Sequence, residues 1–219
     1  MARSKIIKEF ISSNMDIDTA LQNLMAILYC LDDENLINWV EKELSGYDIE
    51  EKLPRYRLIQ GRVMANFFVG YMQYTKHQFP VNHLDEKIRN DLVETPVYSS
   101  ISALIDMINK DSDMAKPISP EYYSVIQGDS NAKITSAYVD INILEVLDIV
   151  SKVKTKILQT LLFLEKEFGN LDELDIDIST KNEYEIREIV QRIQVNLYDN
   201  SITIGDGNKI KDTKIVTNK

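Results

Sequence analysis

From Ile143 to Phe168 the apolar residues Ile143, Leu147, Val150, Val153, Ile157, Leu161, Leu164 and Phe168 return at three- and four-residue steps, and Gly169 follows the last of them. A run of about 26 residues with this period predicts one amphipathic helix about 40 Å long at the standard rise. Leu158 and Leu162 widen its apolar stripe. Helices in water draw most of their stability from packing such a face, so this one has to serve as a spine that the rest of the chain covers.

The upstream sequence supplies helices to do so. Ile17, Leu21, Leu24, Leu28 and Leu31 keep a helical period, with Asp16 or Asp18 placed to cap the first turn. Asp32-Asp33-Glu34 leads into a second helix marked by Leu36, Ile37, Val40 and Leu44, and the two predict a helical hairpin. Trp39 flanks the second stripe, and Glu41, Lys42 and Glu43 are expected largely on the opposite, outer side. Gly46 can take the left-handed conformation that ends a helix, so the helix is expected to stop near Ser45. Pro54 biases Leu53 to extended geometry and prepares a strand. Ile6, Ile7, Phe10 and Ile11 predict a short leading helix.

Beyond Pro54 the period falls to two. Residues 56–60 and 63–75 read as extended, with Gly61 a bend or bulge between them. Leu84, Ile88 and Leu92 predict a helix broken by Pro96, and Ile101, Leu104, Ile105 and Ile108 another. Residues 122–127 and 133–141, separated by Gly128-Asp129-Ser130-Asn131, predict a β-hairpin. After Gly169 comes an acidic connector, then Thr180 with Glu183 as a capping box for a helix through Ile186, Ile189, Val190 and Ile193. Residues 201–210 alternate apolar and polar about Gly205-Asp206-Gly207-Asn208, and Ile215-Val216 repeat the extended character. The expected class is α+β: a mainly helical domain with a small antiparallel sheet over 1–169, a connector and short helix over 170–197, and a C-terminal β-hairpin tail over 198–219. Two short strands alone cannot bury both faces, so the tail is expected to make a homo-oligomer by meeting copies of itself.

Charge narrows the partners. Twenty-five Lys and Arg against 35 Asp and Glu leave a formal charge of −10, which disfavours non-specific attraction to nucleic acid or anionic lipid. No apolar run approaches the ~18 residues that span a bilayer, and the start of the chain leads into no signal-peptide core. A cytoplasmic location is the expectation. Cys30 is the one cysteine, which rules out an intrachain disulfide, and its apolar neighbours predict a buried thiol.

Little in the sequence carries chemistry. His77 and His83, six residues apart across Pro80, match neither a metalloprotease helix pair nor a zinc-finger pair. There is no G-x-S-x-G, Walker A or G-x-G-x-x-G stretch. Asp172, Glu173, Asp175 and Asp177 read as a solvated acidic linker, and the Asp206–Thr217 region matches an EF-hand loop only in an Asp-x-Asn fragment. No catalytic residue, metal site or cofactor is assigned. The set Arg55, Tyr56, Arg57, Arg62 and Tyr71, with Tyr74 and Lys76, is the candidate ligand-binding region, because aromatic rings beside guanidinium groups can hold a nucleotide or a single strand. The same arginines could instead neutralise Glu43, Glu50 and Glu51.

Trp39, Glu43-Leu44, Gly46-Tyr47 and Leu53-Pro54-Arg55-Tyr56-Arg57, in that order, resemble the AbiTii family of bacterial abortive-infection proteins, and the long helix is similar to the family's late helix. The likeness runs over most of residues 15–168. It implies a role in defence against phage and brings no catalytic residue with it. The expectation is a non-enzymatic sensor, adaptor or toxin acting through contacts with a host or phage protein. The alternative is an enzyme or a nucleotide- or nucleic-acid-binding effector using the Arg-Tyr region.

Overall fold

The computed structural model describes residues 3–110 and 114–198. Its first helix, α1 (Lys5–Ile11), precedes a hairpin of α2 (Ile17–Tyr29) and α3 (Glu34–Ser45). Asp16 starts α2 by accepting the Thr19 N–H at 2.8 Å, and Asp33 starts α3 by accepting that of Leu36 at 3.0 Å. Gly46 ends α3 at φ +95°, and a Cβ there would sit 2.9 Å from the Tyr98 carbonyl oxygen, so both the turn and the close approach call for glycine.

A 3₁₀ turn at Arg55–Arg57 follows, then β1 (Leu58–Gln60), β2 (Arg62–Val69) and β3 (Met72–Gln78). The extended run expected over 63–75 is therefore a hairpin that reverses at Gly70-Tyr71, with Gly70 at φ +59°. The alternating apolar pattern continues through such a reversal, which is why periodicity alone missed it. The start of the expected strand at Tyr56 is the 3₁₀ turn, set by Pro54.

After α4 (Glu86–Val93), β4 (Glu94–Pro96) pairs antiparallel with β1, and α5 (Ile101–Asn109) packs on the spine. Next come β5 (Met114–Pro117), a 3₁₀ turn at Pro120–Tyr122, α6 (Tyr123–Gln127) and β6 (Ala132–Ile141). The hairpin expected from 122–127 and 133–141 is corrected on its first arm, which is helical. Pro120 stands at the start of the 3₁₀ turn and the chain continues from it as helix until Gly128. The partners of β6 are instead β2 and β5, giving a four-stranded antiparallel sheet of order β3-β2-β6-β5. Where β2 bulges near Asn66, that side chain accepts the Lys76 N–H at 2.7 Å and donates to Ser136 Oγ at 2.7 Å. Among the described residues two antiparallel sheets thus stand where one was expected.

The spine is α7 (Ile143–Phe168), closed by Gly169 at φ +93°. Its buried stripe runs through Val146, Ile149, Val150, Val153, Ile157, Leu161 and Leu164. Leu147, expected in the stripe, is exposed. Helices α1, α2 and α5 pack on α7, as does α8 (Glu183–Leu197), which also touches α3. The capping box of α8 is Asn182 with Glu185, not Thr180 with Glu183; Thr180 closes a preceding 3₁₀ turn, its hydroxyl donating to Asp177 O at 2.8 Å.

The connector before α8 is held to the body of the protein. Leu171 and Ile176 are in the core, and Cys30, half-buried, donates its thiol to Asp175 Oδ1 at 3.1 Å. Glu165 and Asp172 bind the start of the chain: Ser4 N and Oγ donate to Glu165 Oε1 at 2.5 and 2.6 Å, Arg3 pairs with Glu165 Oε2, and Lys5 N donates to Asp172. The Leu171 N–H returns a bond to Ser4 Oγ at 3.0 Å. The hairpin expected at 198–219 lies outside the described residues beyond Tyr198.

Candidate functional site

Trp39 and Glu43 are four residues apart on α3 and project from one face of it. Four residues further on, past the Gly46 cap, Tyr47 comes back to the same place, its backbone N–H fixed on Tyr98 O at 2.8 Å. Pro54 then leads into the 3₁₀ turn that brings Tyr56 and Arg57 to Glu43.

These five residues form one buried polar cluster. Arg57 Nη2 donates to Glu43 Oε2, and neither side chain has any solvent exposure. Glu43 Oε1 accepts both tyrosine hydroxyls at 2.7 Å, and Tyr56 Oη in turn accepts the Trp39 indole N–H at 2.9 Å. Arg57 Nη1 donates to the carbonyls of Ser99 and Val97, while the Val97 N–H donates to Arg57 O at 2.9 Å. The guanidinium carbon also stands 5.0 Å from the Tyr47 ring centroid. Of the groups at this centre, Arg57 Nε is buried without a hydrogen-bond partner.

Burial, and next to it the negative charge of Glu43, pushes the Tyr47 and Tyr56 hydroxyls far above the usual tyrosine range. Burial alone would lower the Arg57 guanidinium, but the Glu43 charge and hydrogen bond outweigh it and raise it. The cluster is therefore a neutral-tyrosine, paired-charge junction. Chemically it fixes geometry: α3, the 3₁₀ turn and the 97–99 segment meet on Glu43 and Arg57, and Lys156 of α7 reaches the Tyr56 ring at 5.1 Å.

The residues expected to form a ligand region fall in separate places. Tyr56 and Arg57 are inside this cluster. Arg55 is exposed, and Arg62 pairs at 3.1 Å with Asp140 across β2 and β6. Tyr71 is fully exposed at the tip of the β2–β3 hairpin. Tyr74 stacks on Phe67 at 4.9 Å, within a group that includes His77 and Phe79. His83 contacts Val125 O at 3.3 Å. Of the expected neutralising pairs, Arg57 with Glu43 forms, whereas Glu51 and Asp48 are held by Lys42 at 2.9 and 2.8 Å.

Glu43 was expected on the outer side of α3 and is instead at the centre of the cluster. The signal for it was the four-residue spacing to Trp39 and Tyr47, which places the carboxylate on the face of α3 that carries the indole. Lys156 carried no such signal, because it sits inside a helix dense with lysines.

Among the described residues no three His, Cys, Asp or Glu side chains converge on a possible metal position, and no helix is long and apolar enough to cross a membrane. No curated protein and no solved structure matches the chain. The AbiTii family model matches it over residues 4–191, which takes in α1 through most of α8 and the whole Trp39–Arg57 cluster, and the chain belongs to the AbiTii family.

Proposed function

We propose that this chain is a component of a bacterial abortive-infection system that works through protein contacts, as a sensor, adaptor or toxin, and not by catalysing a reaction. Membership of the AbiTii family supplies the defence context. The observation that carries the contact reading is the tip of the β2–β3 hairpin, where Phe68 and Val69 at the end of β2, Tyr71 in the turn and Met72 at the start of the edge strand β3 are all exposed. Large apolar side chains gathered at a hairpin tip are a feature of surfaces that meet another protein. Arg57 and Tyr56, by contrast, have almost no surface to offer a ligand.

The experiment is a phage challenge of cells carrying the complete defence locus with the Tyr71→Ser/Met72→Ser variant. Protection is expected to fall while the purified variant keeps its unfolding midpoint, since exposed substitutions typically change stability by ~0.5 kcal/mol or less. Cross-linking from Tyr71 in infected cells, by an introduced photoreactive side chain, is expected to yield a defined protein adduct. Full protection by the variant would overturn the role of the hairpin. In the same reading, residues 198–219 associate with copies of themselves and group several chains together.

A further inference from the structure

The four-stranded sheet has one dry face and one wet one. On β2, Val63 and Ala65 are buried and Phe67 packs edge-on against Phe79, whereas the alternate residues Arg62, Met64, Asn66 and Phe68 belong to the opposite face. The register carries the same division onto β6. Ala132, Ala137 and Val139 are buried, while Lys133, Ser136, Tyr138 and Asp140 lie beside Phe68, Asn66, Met64 and Arg62 on the wet face. On β3 the positions opposite Phe68 and Met64 are Gln73 and Gln78, and Lys76 stands at φ +52° in the bulge opposite Asn66.

This face departs from the rest of the chain in charge. The chain has 35 Asp and Glu against 25 Lys and Arg, yet in these rows Asp140 is the one acid beside Arg62, Lys76 and Lys133. Arg62 pairs with Asp140 at 3.1 Å on the surface, so those two charges offset each other. Lys76 and Lys133 are exposed, and neither is in an ion pair with a described residue. Physiological salt screens exposed charges beyond about 8 Å, so these two lysines, and not the overall −10, set the local sign.

Aromatic surface lies between the charges. Phe68 is 37% exposed next to Lys133, and Tyr138 is half-buried next to Met64, four residues or about 13 Å back along β2. Rings spaced along a sheet and flanked by cations suit a polyanion whose own flat groups can stack on them, which describes a single strand of nucleic acid. A duplex keeps its bases stacked inside, and an acidic peptide offers carboxylates without rings. Asn66 is already engaged, accepting the Lys76 N–H and donating to Ser136 Oγ, so the exposed amides of Gln73 and Gln78 are the groups left to meet base edges.

We propose that the wet face of this sheet binds single-stranded nucleic acid, with bases stacked on Phe68 and Tyr138 and phosphates on Lys76 and Lys133.

Fluorescence anisotropy of labelled oligothymidylate and oligouridylate of about 12 residues, titrated with the full chain, tests it. A duplex of the same length, polyglutamate and phosphatidylglycerol vesicles are the comparisons. The single strands are expected to bind, and two phosphate contacts predict a slope of about −1.4 in log affinity against log salt. The duplex is expected to bind about tenfold or more weakly. Lys133→Glu should cut single-strand affinity about tenfold or more, and Phe68→Leu about fivefold or more through the loss of one stacked base, while Phe68→Tyr, which keeps a ring, retains it. The unfolding midpoints of all three variants are expected to stay unchanged, as for other exposed substitutions. No binding at about 100 µM chain, the weak end of non-specific affinities, would overturn the proposal. So would duplex or polyglutamate bound as tightly as the single strands, affinity indifferent to Lys133→Glu, or association with the vesicles alone.

Discussion

Glu43 and Arg57 bind each other with no exposure of either side chain, and Arg57 goes on to donate to the Val97 and Ser99 carbonyls, so the pair ties α3 to the 97–99 segment. A buried pair of this kind adds little net stability compared with apolar residues, but removing one member strands the other.

Arg57→Ala is therefore expected to cost about 3–5 kcal/mol, because the Glu43 carboxylate stays buried without its counter-charge. Adding Glu43→Gln should return part of that loss. The amide is neutral, and its oxygen can still accept the Tyr47 and Tyr56 hydroxyls. Urea unfolding of the two variants measures both steps; an Arg57→Ala chain with an unchanged midpoint would mean that the guanidinium is not buried.

Leu161 is fully buried on α7. Leu161→Asp is expected to destabilise by several kcal/mol, enough to unfold a domain whose total stability is about 5–15 kcal/mol. Circular dichroism and the emission of Trp39, the single tryptophan, report the loss, since a buried indole shifts to longer wavelength on unfolding.

The helices were legible because period, caps and C-terminal glycines agree: Asp16, Gly46 and Gly169 each do in the structure what their residue type suggests. The β2–β3 reversal and α6 were not. Two-residue alternation carries on across a tight turn, and Tyr123 to Gln127 has β-favouring residues that Pro120 and Gly128 nevertheless enclose in a helical turn. The family motif was visible as spacing, but its core was hidden, because a glutamate beside a lysine reads as surface. The partner that allows Glu43 inside, Arg57, is 14 residues away and comes back only through the Pro54 turn.

Acid and alkali should act on different parts of the molecule. Burial would raise the Glu165 carboxyl, yet bonds from Ser4 and Arg3 outweigh it and hold it below its ordinary value of 4.5. Its contribution is thus complete above pH ~4.5 and is lost as pH falls through the lowered folded value. Burial raises Tyr47 and Tyr56 above 10, and Tyr198 up to about 12, so their contribution is complete below pH ~10 and fades as pH climbs toward the folded values. Unfolding midpoints from pH 3 to 11 are expected to fall at both ends, and Glu165→Gln should flatten the acid limb while leaving the alkaline one.

Light scattering tests the association of residues 198–219. The cut belongs after Tyr198, because Leu197 is fully buried and Tyr198 Oη donates to Asn35 O at 2.9 Å. A mass above that of one chain that falls to a monomer on this truncation is the expected result; a monomer in both cases removes the idea.

The bonds from Ser4 and Lys5 to Glu165 and Asp172 span 161 to 167 residues of sequence. On the ribosome, then, α1 has no permanent seat until the end of α7 has been made. At about 5–20 residues per second, roughly 8 to 32 seconds separate the two ends of this clasp. For that interval Ile6 and Ile7, buried in the finished protein, are open to chaperones, and the closing of so long a loop should place this joint among the late events of folding.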